Sequence, residues 1–146
     1  MKRLQYRCLQ IDEEPSVLAE YTRMEEEEVH ARLLCDYYVY GTHVYTKESL
    51  LYSEEQTVIY VSVANDEEVI SNEHVLRPSW RGVKLEVRQF KEESTYYPLL
   101  GTWYLSRYPE VMIRLVVDQI EVKGKVWIKT STEFDENRKT FVLYVQ

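Results

Sequence analysis

Between residue 29 and residue 146, short stretches of alternating apolar and polar positions follow one another, with turn residues between them. In residues 29–40, apolar side chains occupy every second position from Val29 to Val39. The same alternation recurs where Val83, Leu85 and Val87 are interleaved with charged residues. Because successive side chains of a strand point to opposite faces, each stretch predicts a strand with one buried and one solvated face.

A connected series of such strands hides its apolar faces by closing on itself or by stacking. The sequence therefore predicts an all-β protein, an antiparallel meander closed into a barrel of about eight to ten strands. No linker rich in Gly, Ser or Pro interrupts the chain, so residues 1–146 are expected to form a single domain. The segments predicted to be extended are residues 4–11, 29–40, 42–45, 50–52, 57–64, 69–76, 83–90, 95–107, 111–122, 126–130 and 140–145.

The conformation of residues 12–28 is left open by the sequence. Ser16 could cap a short helix with one apolar face, or the segment could form part of a wide hairpin. The acidic run at residues 25–28 is expected to be a solvated turn or strand edge. Four consecutive acids on a strand alternate between its faces, so they cannot converge on one ion.

The net charge of −7 is unevenly distributed along the chain. Residues 1–83 hold 8 Lys and Arg against 16 Asp and Glu, whereas residues 84–146 hold 10 against 9. Nucleic-acid binding requires clustered cations that replace phosphate counterions, and anionic membranes repel an acidic surface, so neither partner is expected. The acidic first half could face a basic protein partner, or its charges could serve solubility alone.

The expected location is the cytoplasm. No apolar run approaches the roughly 18 residues that a bilayer span requires. The basic residues at the start are not followed by the apolar core of a secretory signal. With Cys8 and Cys35 as the two cysteines, reduced thiols are expected in that compartment.

Short motifs follow one another in a recognisable order between residues 41 and 130. They are Tyr45-Thr46-Lys47, Leu50-Leu51-Tyr52-Ser53-Glu54-Glu55, residues 69–77, Phe90-Lys91, Tyr96-Tyr97-Pro98-Leu99-Leu100-Gly101-Thr102 and Lys123-Gly124-Lys125-Val126-Trp127-Ile128. This order resembles the YwiB-like family of small bacterial calycins. The resemblance implies a lipocalin-like antiparallel barrel with an interior. The family has no agreed activity, so the resemblance implies no catalytic residues for this chain.

Tyrosine is unusually frequent, with 13 residues in the chain. A large ring with one hydroxyl suits a half-wet cavity wall or an interface, although the same rings also fill pleated strand surfaces well. On the alternation described above, Tyr37 is expected to point inward, whereas Tyr38 and Tyr40 point outward. Two exposed tyrosines on one strand would form a contact patch.

A barrel of this size can hold one small ligand in its interior. The apolar positions of residues 83–87 predict an interior without charges, with Arg88 and Arg114 facing solvent. We therefore predict a site for a small apolar ligand, with Tyr37 and Trp103 as wall residues. Such binding calls for a cavity of about 300 Å³ or more, whereas a fully packed core explains the same pattern without one.

Residues suited to catalysis are few. The three histidines are scattered without the spacing typical of metal ligands, so neither a metal nor a cofactor is expected. Cys35, Asp36 and His43 could be imagined as a catalytic set, but Cys35 and Asp36 would point to opposite faces of one strand. The chain is therefore not expected to be an enzyme. The alternative to ligand binding is a protein-interaction module or homodimer, which would use the outward tyrosines, the acidic first half or an exposed strand edge.

Overall fold

The computed structural model describes residues 1–70 and 82–146, which form ten strands and two helices. The expectation of a β-rich protein is confirmed. The elements are β1 (Lys2–Cys8), β2 (Ser16–Met24), α1 (Glu26–Leu33), β3 (Tyr37–Tyr40), β4 (His43–Tyr52), β5 (Thr57–Val63), β6 (Val83–Gln89), β7 (Leu99–Leu105), α2 (Tyr108–Val116), β8 (Gln119–Val122), β9 (Lys125–Asp135) and β10 (Thr140–Val145).

The strands form one mixed sheet in the order β2-β1-β5-β4-β3-β9-β10-β6-β7, and β8 pairs with β9. The pairs β1/β5, β3/β9 and β10/β6 are parallel, unlike the antiparallel meander expected from the sequence. Within the described parts of the chain, β2 and β7 end the sheet instead of pairing to close a barrel. Helices α1 and α2 give a physical reason for this difference. They cover one apolar face of the sheet, which a sheet without helices would hide by closing into a barrel.

Helix α1 corrects the strand predicted over residues 29–40. The chain is helical over Glu26–Leu33 and extended again only over Tyr37–Tyr40. The acidic run expected to be a solvated turn supplies the N-cap, Glu25, and the first helical turn. Acidic side chains are favourable there because the helix dipole places partial positive charge at the N-terminus.

Helix α2 corrects the strand predicted over residues 111–122. It spans Tyr108–Val116, and only Gln119–Val122 is extended. Pro109 lies in the first turn, where its missing N–H would have no helical partner in any case. Val111 and Leu115, four residues apart, are buried on one side of the helix, while Ile113 is exposed.

Three further segments have outcomes that the sequence left open or predicted differently. Residues 16–24 form β2, which pairs with β1 in antiparallel register. The strands predicted over residues 42–45 and 50–52 are one continuous strand, β4. The strand predicted over residues 69–76 lies mostly outside the described residues.

The sheet buries both of its faces around β10. The inner face of the sheet, defined here as the face that packs on the helices, carries Phe141, Leu143 and Val145. The outer face, on the opposite side, carries Val142 and Tyr144, which are also buried. Val69, after β5, and Tyr97, after β6, contact side chains of this outer face.

Charged side chains are buried on both sides of the sheet, contrary to the charge-free interior expected from the sequence. Arg32 of α1 is 3 % exposed, and Glu86 of β6 is 3 % exposed. Arg88, expected to face solvent, is buried as well. Each of these side chains has an oppositely charged partner within salt-bridge distance, as buried charges require. Among the described residues, no helix is long and apolar enough to cross a membrane.

Candidate ligand-binding site

The outer face of the sheet carries a cavity of about 160 Å³ where β3, β9 and β10 lie side by side. Register brings its central residues together, since Tyr37 pairs with Glu133 and Ser131 pairs with Tyr144. Paired residues on neighbouring strands project to the same face, so these four side chains share the outer face. We refer to this cavity as the outer pocket; it is lined by Tyr37, Glu67, Phe90, Tyr97, Thr130, Ser131, Glu133 and Tyr144.

The outer pocket has a buried floor and an accessible rim. Glu133 and Tyr144 form the floor, with 5 % and 6 % of their surface exposed. Thr130 is exposed, and Tyr37 and Tyr97 are half-buried. The two floor side chains are therefore largely shielded from water, whereas the rim is open to it.

The aromatic rings of the outer pocket are packed against one another. The ring centroids of Phe90 and Tyr97 lie 5.5 Å apart with nearly parallel planes, at 24°. Tyr97 and Tyr144 meet edge to face, with centroids 5.3 Å apart. These distances are typical of favourable aromatic pairs, so the three rings form a self-supporting wall.

Two carboxyl groups lie among these rings, and each accepts a hydrogen bond from a tyrosine. The Tyr144 hydroxyl donates to Glu133 Oε2 over 2.9 Å. The Tyr97 hydroxyl donates to Glu67 Oε2 over 3.3 Å. Within residues 1–70 and 82–146, neither Glu133 nor Glu67 has a Lys or Arg at salt-bridge distance.

Burial controls the protonation of both carboxyl groups. It raises the pKa of Glu133 to about 8, because removal from water disfavours the charged form more than the bond from Tyr144 favours it. Burial likewise raises the pKa of Glu67, and the neighbouring Asp66 adds to the effect. Both carboxyl groups of the pocket therefore take up a proton more readily than an exposed glutamate does.

Two arginines of the described structure, Arg88 and Arg138, form ion pairs with acids that do not line the outer pocket. Arg88 donates to the Glu86 carboxylate over 3.0 Å and to the backbone oxygen of Tyr97 over 3.0 Å. Arg138 binds Asp135 at 2.8 Å and Glu86 at 2.9 Å. The bond from Arg88 to Tyr97 also ties the aromatic wall of the pocket to β6.

Of the two ligand-binding residues predicted from the sequence, the structure places one in this pocket. Tyr37 lines it, although from the outer face and not from a barrel interior. Trp103 lies on β7 and packs against the main core, with the Arg114 guanidinium 4.9 Å from its ring centroid. Among the described residues, Trp103 is not part of the wall of the outer pocket.

The predicted orientation of Tyr38 is wrong. Its side chain is buried in the main core and stacks on Tyr6, with ring centroids 3.6 Å apart. Its hydroxyl lies 3.1 Å from the hydroxyl of Tyr21. The predicted contact patch of two adjacent tyrosines therefore reduces to Tyr40, which is 38 % exposed.

The sequence did not single out Glu67, Phe90, Tyr97, Glu133 and Tyr144 as site residues. One usable signal lies in the nearly continuous apolar run of β10, which is typical of a strand covered on both faces. A glutamate on the strand paired with it must then be buried on one of those faces. Glu133, on β9, satisfies that condition.

Groups suited to nucleophilic or metal chemistry are not assembled in the described structure. Burial raises the pKa of the Cys35 thiol far above its usual range, and the thiol donates weakly to the backbone oxygen of Ala31. Asp36, its sequence neighbour, instead accepts hydrogen bonds from the backbone and hydroxyl of Thr132. No group of three or more His, Cys, Asp or Glu side chains within residues 1–70 and 82–146 could hold a metal ion.

A larger open cleft of about 750 Å³ lies at the other side of the sheet, between the beginnings of α1 and α2. Arg32 forms part of its wall, between the rings of Tyr21 and Phe134 at 4.7 Å and 4.1 Å. Its guanidinium binds Glu28 at 2.8 Å and Glu136 at 2.9 Å. Arg32, the buried charge in this wall, is therefore neutralised by two acidic partners.

No protein-family model, curated protein sequence or solved structure matches the chain. The chemistry of the outer pocket is therefore the basis for assigning a function.

Proposed function

We propose that this chain is a small-ligand-binding protein and that its outer pocket holds a positively charged group of the ligand. The observation that carries the proposal is the composition of the pocket wall. Among the described residues, two carboxyl groups and four aromatic rings line it, and no Lys, Arg or His does. Carboxylates attract a cation directly, and aromatic faces attract it through the ring quadrupole.

The size of the cavity limits the ligand to a small molecule or a single group of a larger one. At about 160 Å³ it falls below the roughly 300 Å³ that drug-sized ligands occupy. It is close to the roughly 150 Å³ of an engineered apolar cavity that binds benzene. An ammonium group with a short alkyl chain is of suitable size.

The raised pKa of Glu133 suits a site that exists both with and without a bound cation. A buried carboxylate without a counterion is strongly unfavourable, and the raised pKa avoids that state in the empty pocket. An entering cation supplies the counterion and allows Glu133 to ionise. The proposal thus replaces the apolar ligand expected from the sequence with a cationic one.

The test compares cations with neutral molecules of the same shape. We expect n-butylammonium to bind with measurable heat in isothermal titration calorimetry, and 1-butanol to bind at least about tenfold more weakly. Glu133→Gln and Glu67→Gln should each weaken binding of the cation. Glu121→Gln, an exposed acid on β8, serves as the matched control and should leave it unchanged. Equal binding of cation and alcohol would contradict the proposal.

A second candidate is self-association through a sheet edge. Strand β2 lies at one end of the sheet and pairs only with β1 within the described residues, so its other edge offers backbone groups to a second chain. Analytical ultracentrifugation tests this reading, since a concentration-independent monomer would remove it. The cytoplasmic location, the calycin resemblance and the absence of enzyme activity stay predictions from the sequence.

A further inference from the structure

Most of the described side chains that line the outer pocket carry an oxygen atom. Every lining residue except Phe90 carries a side-chain oxygen atom. Glu133 uses Oε2 to accept the bond from Tyr144, and Glu67 uses Oε2 to accept the bond from Tyr97. Within the described parts of the chain, the Oε1 atoms of both glutamates take part in no hydrogen bond, so each has acceptor capacity left for a ligand.

The aromatic rings are less available than the oxygens. A quaternary ammonium group is held best when several ring faces surround it within about 6 Å of their centroids. Here Phe90 and Tyr97 lie against each other with centroids 5.5 Å apart, so each covers a face of the other. The edge of one ring in the pair Tyr97 and Tyr144 points at the face of its neighbour. These three rings therefore form a wall and not an open cage.

A primary ammonium group matches this arrangement better than a quaternary one. It has three N–H donors, and the described wall of the pocket offers the Oε1 atoms of the two glutamates and the hydroxyl of Ser131 as acceptors. Bonds of this kind, from a charged donor to a charged acceptor, are the stronger class of hydrogen bond. A quaternary group has no donor, and it would leave the buried Glu133 carboxylate without one.

We infer that the outer pocket selects a primary ammonium group over a quaternary one, with Glu133 and Glu67 as the acceptors that read its N–H donors. This inference rests on the proposed function and specifies its ligand class. The primary ammonium can belong to a free alkylamine or to the side chain of a lysine. Both present the same group on a short methylene chain.

The experiment measures affinity across a methylation series. We expect n-butylammonium to bind the wild-type protein at least about tenfold more tightly than N,N,N-trimethylbutylammonium. A second arm compares a blocked lysine with the corresponding blocked trimethyllysine. If the blocked lysine binds as tightly as n-butylammonium, the ligand is a lysine side chain. If the blocked lysine binds clearly more weakly, the ligand is a free alkylamine. In both cases the inference requires the primary amine to bind more tightly than its trimethylated form.

Variants of the pocket residues test which oxygen atoms accept hydrogen bonds from the ammonium N–H groups. In Glu133→Gln, the preference for the primary amine should fall toward equality, because the charged acceptor is lost while the shape of the side chain is kept. Ser131→Ala should reduce the preference by less, and Glu121→Gln should preserve it. Ser131→Ala also keeps the test decisive if Glu133→Gln fails to fold.

The outcomes separate this inference from the proposed function. A trimethylated cation that binds as tightly as the primary one, while both exceed their neutral counterparts, overturns the inference and leaves the proposed function standing. If no cation binds better than its neutral counterpart, both are overturned. Retention of the full preference in both Glu133→Gln and Glu67→Gln would also contradict the assignment of the acceptors.

Discussion

The hydroxyl of Tyr144 donates a hydrogen bond of 2.9 Å to Glu133 Oε2, and both side chains are buried on the outer face of the sheet. The bond lowers the pKa of Glu133, but burial outweighs it and the pKa rises to about 8. A single donor therefore does not replace the solvation that the carboxylate loses. Loss of the Tyr144 donor, or gain of a cation nearby, would therefore be expected to shift the pKa of Glu133 in opposite directions.

Glu133→Gln is expected to change the pH dependence of stability. The pKa of Glu133 is raised from 4.5 to about 8 in the folded protein, so folding favours its protonated form. Its contribution to stability is fully present below the unfolded pKa and is lost as the pH rises through the folded pKa. The variant, which carries a neutral side chain at every pH, should therefore gain stability relative to wild type between pH 4.5 and 8.

Urea unfolding across that pH range measures the effect. Each unit of pKa difference corresponds to about 1.4 kcal/mol, so the relative gain of the variant should reach the order of a few kcal/mol above pH 8. The comparison must use the difference between variant and wild type, because Glu86 and Glu136 have lowered pKa values and act in the opposite direction. A difference independent of pH would show that Glu133 ionises normally.

Tyr144→Phe removes the donor and should raise the pKa of Glu133 further. The hydroxyl favours the charged form of the carboxyl group, so its loss shifts the equilibrium toward the protonated form. Carbon-detected NMR of the glutamate side-chain carboxyl groups would follow the titration directly. Tyr97→Phe, which removes the corresponding donor to Glu67, should instead raise the pKa of Glu67. An unshifted Glu133 titration in Tyr144→Phe would contradict the assigned donor.

The sequence was sufficient for the β-rich class but not for the sheet topology. Alternation at residues 29–40 was interpreted as one strand, although its first part is helical and only Tyr37–Tyr40 is extended. The alternation continues by coincidence across α1, since Val29 and Ala31 are both buried on a short helix. Face assignments taken from Val29 therefore do not carry over to the strand, and Tyr38 was placed on the wrong side.

Signals for the two helices were present in the sequence and have a physical basis. The acids of residues 25–28 precede His30 and Arg32, a charge order that complements the helix dipole. Pro109 followed by Val111 and Leu115 is typical of a helix start and one buried helical face. The outer pocket was less accessible to prediction, because Glu67, Tyr97 and Glu133 are distant in sequence and meet only through the strand order.

Arg32→Met is expected to destabilise the protein strongly. Arg32 is 3 % exposed and binds Glu136, which is also buried. Removal of Arg32 leaves the buried Glu136 with the exposed Lys139 as its cationic partner, and loss of one member of a buried pair costs about 3–5 kcal/mol in comparable cases. The free energy of unfolding at neutral pH measures the loss. Addition of Glu136→Gln should recover part of it, and a double variant as unstable as the sum of the single ones would contradict the pairing.

Tyr38→Ala and Tyr40→Ala should have very different effects on stability. Tyr38 stacks on Tyr6 in the core, and truncation of a buried aromatic residue costs about 3–5 kcal/mol. Tyr40, two residues away on the same strand, is partly exposed, so its truncation should cost much less. Urea unfolding of the two variants provides a matched comparison. Equal losses would indicate that β3 presents both tyrosines in the same environment.

Trp103→Ala and Tyr37→Ala test where the ligand binds. Trp103 packs against the main core and under Arg114, so its truncation should lower stability but leave the affinity for n-butylammonium within about twofold of wild type. Tyr37 lines the outer pocket and pairs in register with Glu133, so its truncation should weaken binding of the cation several-fold. Calorimetry on both variants, after unfolding curves confirm that each is folded, measures the affinities. Loss of binding in Trp103→Ala with normal binding in Tyr37→Ala would move the ligand to the inner side of the sheet, where the sequence placed it.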